Sequence, residues 1–147
     1  MLDPAIDVHG LRKAYRSTVA LDALTGHQLV SGRDVGLPDG AHDDTYLAEL
    51  ARALPAVMAH APRCVFYLAG ADPYEDDQLG GLRLTKEGLR RRDRMVVDAV
   101  GRAGIPLVVT LAGGYARRVE DTVAIHAATI EEVARYPGSA IPGSVRL

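Results

Sequence analysis

Two side chains in this sequence stand where a sheet delivers chemistry. Asp72 follows the apolar run Cys64-Val65-Phe66-Tyr67-Leu68 and the small residues Gly70-Ala71, and Tyr115 follows Leu107-Val108-Val109-Thr110-Leu111 and the pair Gly113-Gly114. Each apolar run reads as a strand of a sheet covered on both faces. The sequence between them has room for one crossover helix, so the strands are expected to be parallel neighbours. Ligands of such sheets bind outside the carboxyl ends of the strands. There a carboxylate can bind a metal ion. A phenol with an ordinary pKa near about 10 stays protonated at neutral pH and can donate a hydrogen bond to a developing oxyanion.

Plainer readings stand beside these. An Asp at the end of a strand can cap the turn by accepting backbone N–H bonds, and a Tyr after two glycines can simply pack where the strand passes into a helix. The residues alone leave both pairs of readings open. His126 falls on the apolar side of the last helical pattern and reads as a hydrogen-bonded core histidine. Cys64, the single cysteine, has no identifiable His partner and reads as a small buried hydrophobe rather than a nucleophile. Glu75 and Asp76 read as solvated, with no EF-hand spacing around them.

The elements that must position these residues follow from periodicity. From Asp44 to Ala61, Leu47, Leu50, Ala51, Leu54, Val57 and Met58 recur at helical spacing, and Pro55 is expected to kink or break the helix there. Thr85 is a candidate N-cap with Glu87 in the first turn, and Leu89, Val96, Ala99, Val100 and Ala103 form the inward face. Gly104 and Pro106 stop that helix before the second strand. A last helix from about Arg118 to near Tyr136 carries Val119, Val123, His126, Ile130 and Val133 on one side. Residues 1–33 fit no clear template, residues 34–136 form the organised part, and residues 137–147 read as a flexible tail.

Composition narrows the function classes. A chain of 147 residues with 48% apolar content is the size of one domain with a real core. Its formal charge of -2 leaves no electrostatic footprint for nucleic acid, and the run Arg90-Arg91-Arg92 reads as a solvated helix face. No apolar run reaches the ~20 residues that span a bilayer, and the N-terminus is not built like a signal segment, so a cytoplasmic location is expected. No Gly-x-Gly-x-x-Gly turn or phosphate-binding Gly-Lys-Ser/Thr follows a strand, which argues against a nucleotide-binding domain.

The ordered motifs carry a resemblance. Tyr67-Leu68-Ala69-Gly70-Ala71-Asp72-Pro73, Asp77-Gln78-Leu79-Gly80-Gly81-Leu82, Gly88-Leu89, Arg92-Asp93 and Ala112-Gly113-Gly114-Tyr115 resemble the C-terminal part of zinc-dependent histone deacetylases and bacterial acetylpolyamine amidohydrolases. The class IV-like branch is the nearest in pattern. The resemblance runs from about Asp34, through Val35-Gly36-Leu37-Pro38-Asp39-Gly40, to about Ala134, with Ala112 where a glycine is often found. It implies a three-layer α/β/α fold with a mainly parallel sheet, arginase/deacetylase-like and incomplete. It also implies that Asp72 is the last of three zinc ligands, that the Tyr115 hydroxyl polarises the acetyl carbonyl, and that Asp77 holds its loop.

The family's other two ligands come from an Asp-x-His motif, which Asp7-Val8-His9 matches. The family's Gly-Asn-Gly-Thr continuation is replaced here by Gly10-Leu11-Arg12-Lys13. His9-Gly10 corresponds equally to another His-Gly pair of the family. Substrates implied by the resemblance are acetylated lysine or an acetylpolyamine, hydrolysed by zinc-activated water with a tandem His-His pair as acid and base. Here the histidines are His9, His27, His42, His60 and His126, with no two adjacent. The activity is therefore left open between a deacetylase and a non-catalytic module. Of a truncated gene, a split enzyme completed by another chain, and a domain that kept the fold without the chemistry, the first is the favoured reading, a truncated form with impaired or no activity. Part of a sheet would leave uncovered apolar faces, so self-association or a complementing chain is expected as partner.

Overall fold

The computed structural model describes residues 13–15, 18–21 and 35–136. The chain divides into two units, Met1–Asp34 and Val35–Leu147. In the first, β1 (Lys13–Tyr15) and β2 (Thr18–Leu21) pair antiparallel, with Lys13 opposite Leu21 and Tyr15 opposite Thr18. The sequence pattern there is too short to announce this hairpin.

The second unit runs α1 (Asp43–Met58), β3 (Val65–Gly70), α2 (Lys86–Arg102), β4 (Leu107–Ala112) and α3 (Val119–Ala134). β3 and β4 are parallel and in register from Val65 beside Leu107 to Gly70 beside Ala112. Parallel neighbours require a crossover, and α2 supplies it. Its start is built by Thr85, whose hydroxyl accepts the Gly88 N–H at 2.9 Å. Asp43, in the first turn of α1, accepts from the Thr85 N–H at 2.8 Å and from its hydroxyl at 2.7 Å, so one carboxylate joins the starts of two helices. The end of α2 is a Schellman turn: Gly104 has φ +65°, Ile105 N–H bonds Val100 O at 3.3 Å, and Gly104 N–H bonds Gly101 O at 3.0 Å.

Pro55 does not divide α1. It stands in the last turn, where its missing N–H frees one carbonyl only, that of the exposed Ala51, which water can satisfy. Cys64 is exposed and lies just before β3, a correction to its reading as a buried residue.

Among the described residues the strands are covered on one face rather than two. Tyr67 and Ala69 turn toward the helices, while Phe66 (54% exposed), Leu68 (66%) and Val108 stand open on the other face. The inward side of α3 is also not its apolar side. Val119, Val123 and Ile130 are exposed, and Asp121, Ile125, Thr129 and Glu132 are buried. The reason lies in α2, whose inner surface carries charged groups that need polar partners. Arg92 is 3% exposed and Asp93 fully buried, so the basic run is not one solvated face.

Glu132 accepts from Arg90 Nε at 2.7 Å, Arg94 Nη2 at 3.0 Å and Arg135 Nη1 at 2.9 Å, all on one oxygen, and from Arg94 Nε at 3.1 Å on the other. The Arg94 hydrogen bonds foremost, with those of Arg90 behind them, outweigh burial and hold its carboxyl at about 2 against an ordinary 4.5. A carboxyl lowered in this way contributes stability above pH 4.5 and loses it as pH falls toward 2. Urea midpoints measured across that window are expected to fall less steeply for Glu132→Gln than for the native chain. Parallel curves would remove the assigned role.

Candidate functional site

The candidate site forms where β3 and β4 end together. Ladder pairing continues one step past the strands, with the Ala71 N–H bonding Ala112 O at 2.9 Å. Ala71 is buried with Tyr74, Leu84, Leu89 and Ile125 in the core beneath this edge. Burial of Ala71 turns its successor outward, and Asp72 is exposed.

Three glycines make room for Asp72. A Cβ on Gly113 would collide with its Oδ1, one on Gly80 would collide with its backbone oxygen, and one on Gly70 would come within 3.0 Å of Oδ1. Gly113 and Gly114 have φ of +58° and +104°, which side-chain-bearing residues rarely adopt. The end of β4 thereby passes directly against the Asp72 carboxylate, two residues before Tyr115.

Asp77, not Asp72, caps this loop through backbone N–H groups. Its Oδ1 accepts from Leu79 and Gly80, each at 2.8 Å, and its Oδ2 accepts from Tyr115 N–H at 2.5 Å. The Tyr115 carbonyl in turn accepts from the backbone and side-chain nitrogens of Gln78, both at 3.1 Å. The backbone of Tyr115 is thus held on both sides while its ring is 61% exposed. Asp76 is not simply solvated, because Arg117 Nε lies 3.2 Å from its carboxylate.

Behind the edge, His126 of α3 directs Nε2 to Gly113 O at 3.4 Å, and its Nδ1 is buried without a partner. The Arg92–Asp93 pair lies deeper and grips Gly70 O, with Arg92 Nη1 at 2.6 Å. Sequence reading passed over Arg92 as a surface residue. Its spacing of three after Leu89 and four before Val96 puts it on the inward stripe and was the available signal.

The structure therefore brings Asp72 and Tyr115 to one edge, as expected. Asp7 and His9 lie outside the described residues. A catalytic zinc generally takes three protein ligands. Among the described residues no group of three His, Cys, Asp or Glu stands close enough to hold a metal ion. Cavities of about 370 and 300 Å³ lie along α2, beside α1 and near Glu132, away from Asp72. Among the described residues no helix is long and apolar enough to cross a membrane.

The histone deacetylase domain, as a family, matches residues 5–130, a span that includes Asp7 and His9 together with Asp72 and Tyr115. An uncharacterised protein of Picosynechococcus sp. is 42% identical over 97 residues, covering 65% of this chain and 32% of that protein. Histone deacetylase 2 of Arabidopsis thaliana is 32% identical over 102 residues, covering 69% of this chain and 26% of its own length. The acetylpolyamine aminohydrolase from Burkholderia pseudomallei superposes with a TM-score of 0.60 at 21% identity, over 70% of this chain and 28% of that one. The HDA15 HD domain superposes with a TM-score of 0.53 at 27% identity, over 67% and 27%. Both structural likenesses assign the chain to the arginase/deacetylase type of α/β fold. The chain spans 32% and 26% of the length of the two curated relatives.

Proposed function

Because the chain belongs to the histone deacetylase domain family, we propose that Asp72 and Tyr115 are its contribution to a site that hydrolyses N-acetyl amides of lysine or of a polyamine. In this reading Asp72 is a zinc ligand, Asp7 and His9 are the companion donors, and the Tyr115 hydroxyl donates to the oxygen of the acetyl carbonyl as charge develops there. The observation that carries it is the Asp72 carboxylate lying against Gly113 at a shared strand edge, with Tyr115 next in line.

The paired histidines that handle protons in the family have no counterpart in a sequence without adjacent His residues. The 147-residue chain by itself is accordingly expected to release little or no acetate, and turnover depends on groups that another polypeptide segment supplies. A cytoplasmic location is part of the same proposal.

Zinc per folded chain after chelator-free purification tests the ligand assignment. Near-stoichiometric zinc in the native chain and background zinc in Asp72→Ala is expected. Equal zinc in both would remove Asp72 from the site. Background zinc in both folded proteins would favour a second reading, a non-catalytic interaction module.

The open sheet face supports that second reading. Phe66, Leu68 and Val108 form exposed apolar surface on one face of the sheet, which no element among the described residues covers. Such surface favours self-association or a complementing chain. Sedimentation at increasing concentration is expected to give a rising mass. A clean monomer with a concentration-independent melt would count against it.

A further inference from the structure

The carbonyl of Gly70 is the last of β3, two residues before Asp72, and it is held by a buried cation. Arg92 Nη1 donates to it at 2.6 Å, while Nε of the same guanidinium donates to Asp93 Oδ1 at 2.9 Å. Nη2 lies 2.8 Å from that same oxygen without an aligned acceptor of its own. The guanidinium carbon stands 5.8 Å from the centre of the Tyr67 ring. Tyr67 OH also donates to Asp93 Oδ1, and Thr129 donates to Oδ2 at 2.6 Å. Burial pushes the Tyr67 phenol far above its ordinary value, so it remains a donor.

A buried ion pair adds little net stability over well-packed apolar residues of the same volume. Its effect here is geometric. The guanidinium has donors in a fixed planar fork, and this one spans a strand end and a carboxylate whose other partners come from β3 and α3. One rigid group thereby ties the end of β3 to both helices behind it. A lysine would offer a point charge without the fork.

We propose that Arg92 is a positioning residue: by gripping the Gly70 carbonyl it sets the direction in which the chain leaves β3, and so holds the Asp72 carboxylate against Gly113. The proposal rests on the reading of Asp72 as a metal ligand. Its physical core, the hold on the strand end, is measurable without metal.

The test uses the full chain and three variants. Arg92→Lys keeps the charge and loses the fork. Tyr67→Phe keeps the ion pair and loosens Asp93. Glu132→Gln weakens the α2–α3 arginine cluster with no contact to Gly70. The first readout is amide hydrogen exchange at Ala71 relative to Val100 in α2, and the second is zinc affinity by competitive titration. Partners that orient a metal ligand typically change metal affinity by about 10–100-fold. Arg92→Lys is expected to raise the exchange ratio and weaken zinc binding by about tenfold each. Glu132→Gln should lower the melting temperature and leave both readouts at their native values, which separates positioning from general stability.

If Arg92→Lys does not fold, Tyr67→Phe is expected to shift the exchange ratio about threefold, a fraction of the effect of losing the fork. An unchanged ratio in Arg92→Lys, or in Tyr67→Phe where Arg92→Lys does not fold, overturns the proposal, as does native zinc affinity in Arg92→Lys. Absence of zinc from the native chain would sink the ligand reading instead, and the exchange ratio would still decide the role of Arg92.

Discussion

Asp93→Ala is expected to cost about 3–5 kcal/mol of folding stability, because it leaves the buried Arg92 guanidinium without its counter-ion. The same change strips the acceptor from Tyr67, which donates to one oxygen of Asp93, and leaves Thr129, which donates to the other, with the Ile125 carbonyl at 3.2 Å. Domains of this size are stable by roughly 5–15 kcal/mol, so the loss is a large share of the total. Chemical denaturation should show a midpoint lowered accordingly, and Asp93→Asn should fall between, because it keeps an acceptor without the charge. A cost below about 1 kcal/mol for Asp93→Ala would mean that water reaches Arg92 and that the pair is not a structural anchor.

Asp77→Ala carries the second large effect. One carboxylate serves the N–H groups of Leu79, Gly80 and Tyr115, two across the loop and one across the strand ends. A buried donor left unmade costs about 1–3 kcal/mol. Leu79 is exposed and Gly80 half-buried, so water recovers part of the loss there. A net cost of about 2–3 kcal/mol is expected. The more telling result is local. With Asp77 gone, nothing ties the Tyr115 N–H to the acidic loop, and the amide signals of residues 113–117 should broaden or exchange faster than those of α2. Unchanged protection at Tyr115 would assign its placement to the Gln78 contacts instead.

The two residues differ in how far they could be read in advance. Asp77 lies in a run of turn-forming residues after Asp72, and its role as a loop holder was part of what the family resemblance implied. Asp93 was quoted in that resemblance without a role. Its partners Tyr67 and Thr129 are 26 and 36 residues away in sequence, one on a strand and one on another helix. No local pattern encodes such a meeting.

The amino-acid sequence by itself determined what short-range physics controls. Apolar runs marked β3 and β4, their separation required a crossover, Thr85 capped α2, and Gly104 with Pro106 ended it. The same local rules put Asp72 and Tyr115 at one sheet edge, because a strand end followed by small residues has few ways to turn. Only the tertiary structure decided which sides of those elements face inward. α3 buries Asp121, Thr129 and Glu132 and exposes Val119, Val123 and Ile130. Apolar count predicts the reverse. The outcome follows instead from charge: once Arg92 and Asp93 are enclosed on α2, the helix packed against them must present hydrogen-bonding groups, and an unpaired buried charge costs more than a few exposed aliphatic side chains.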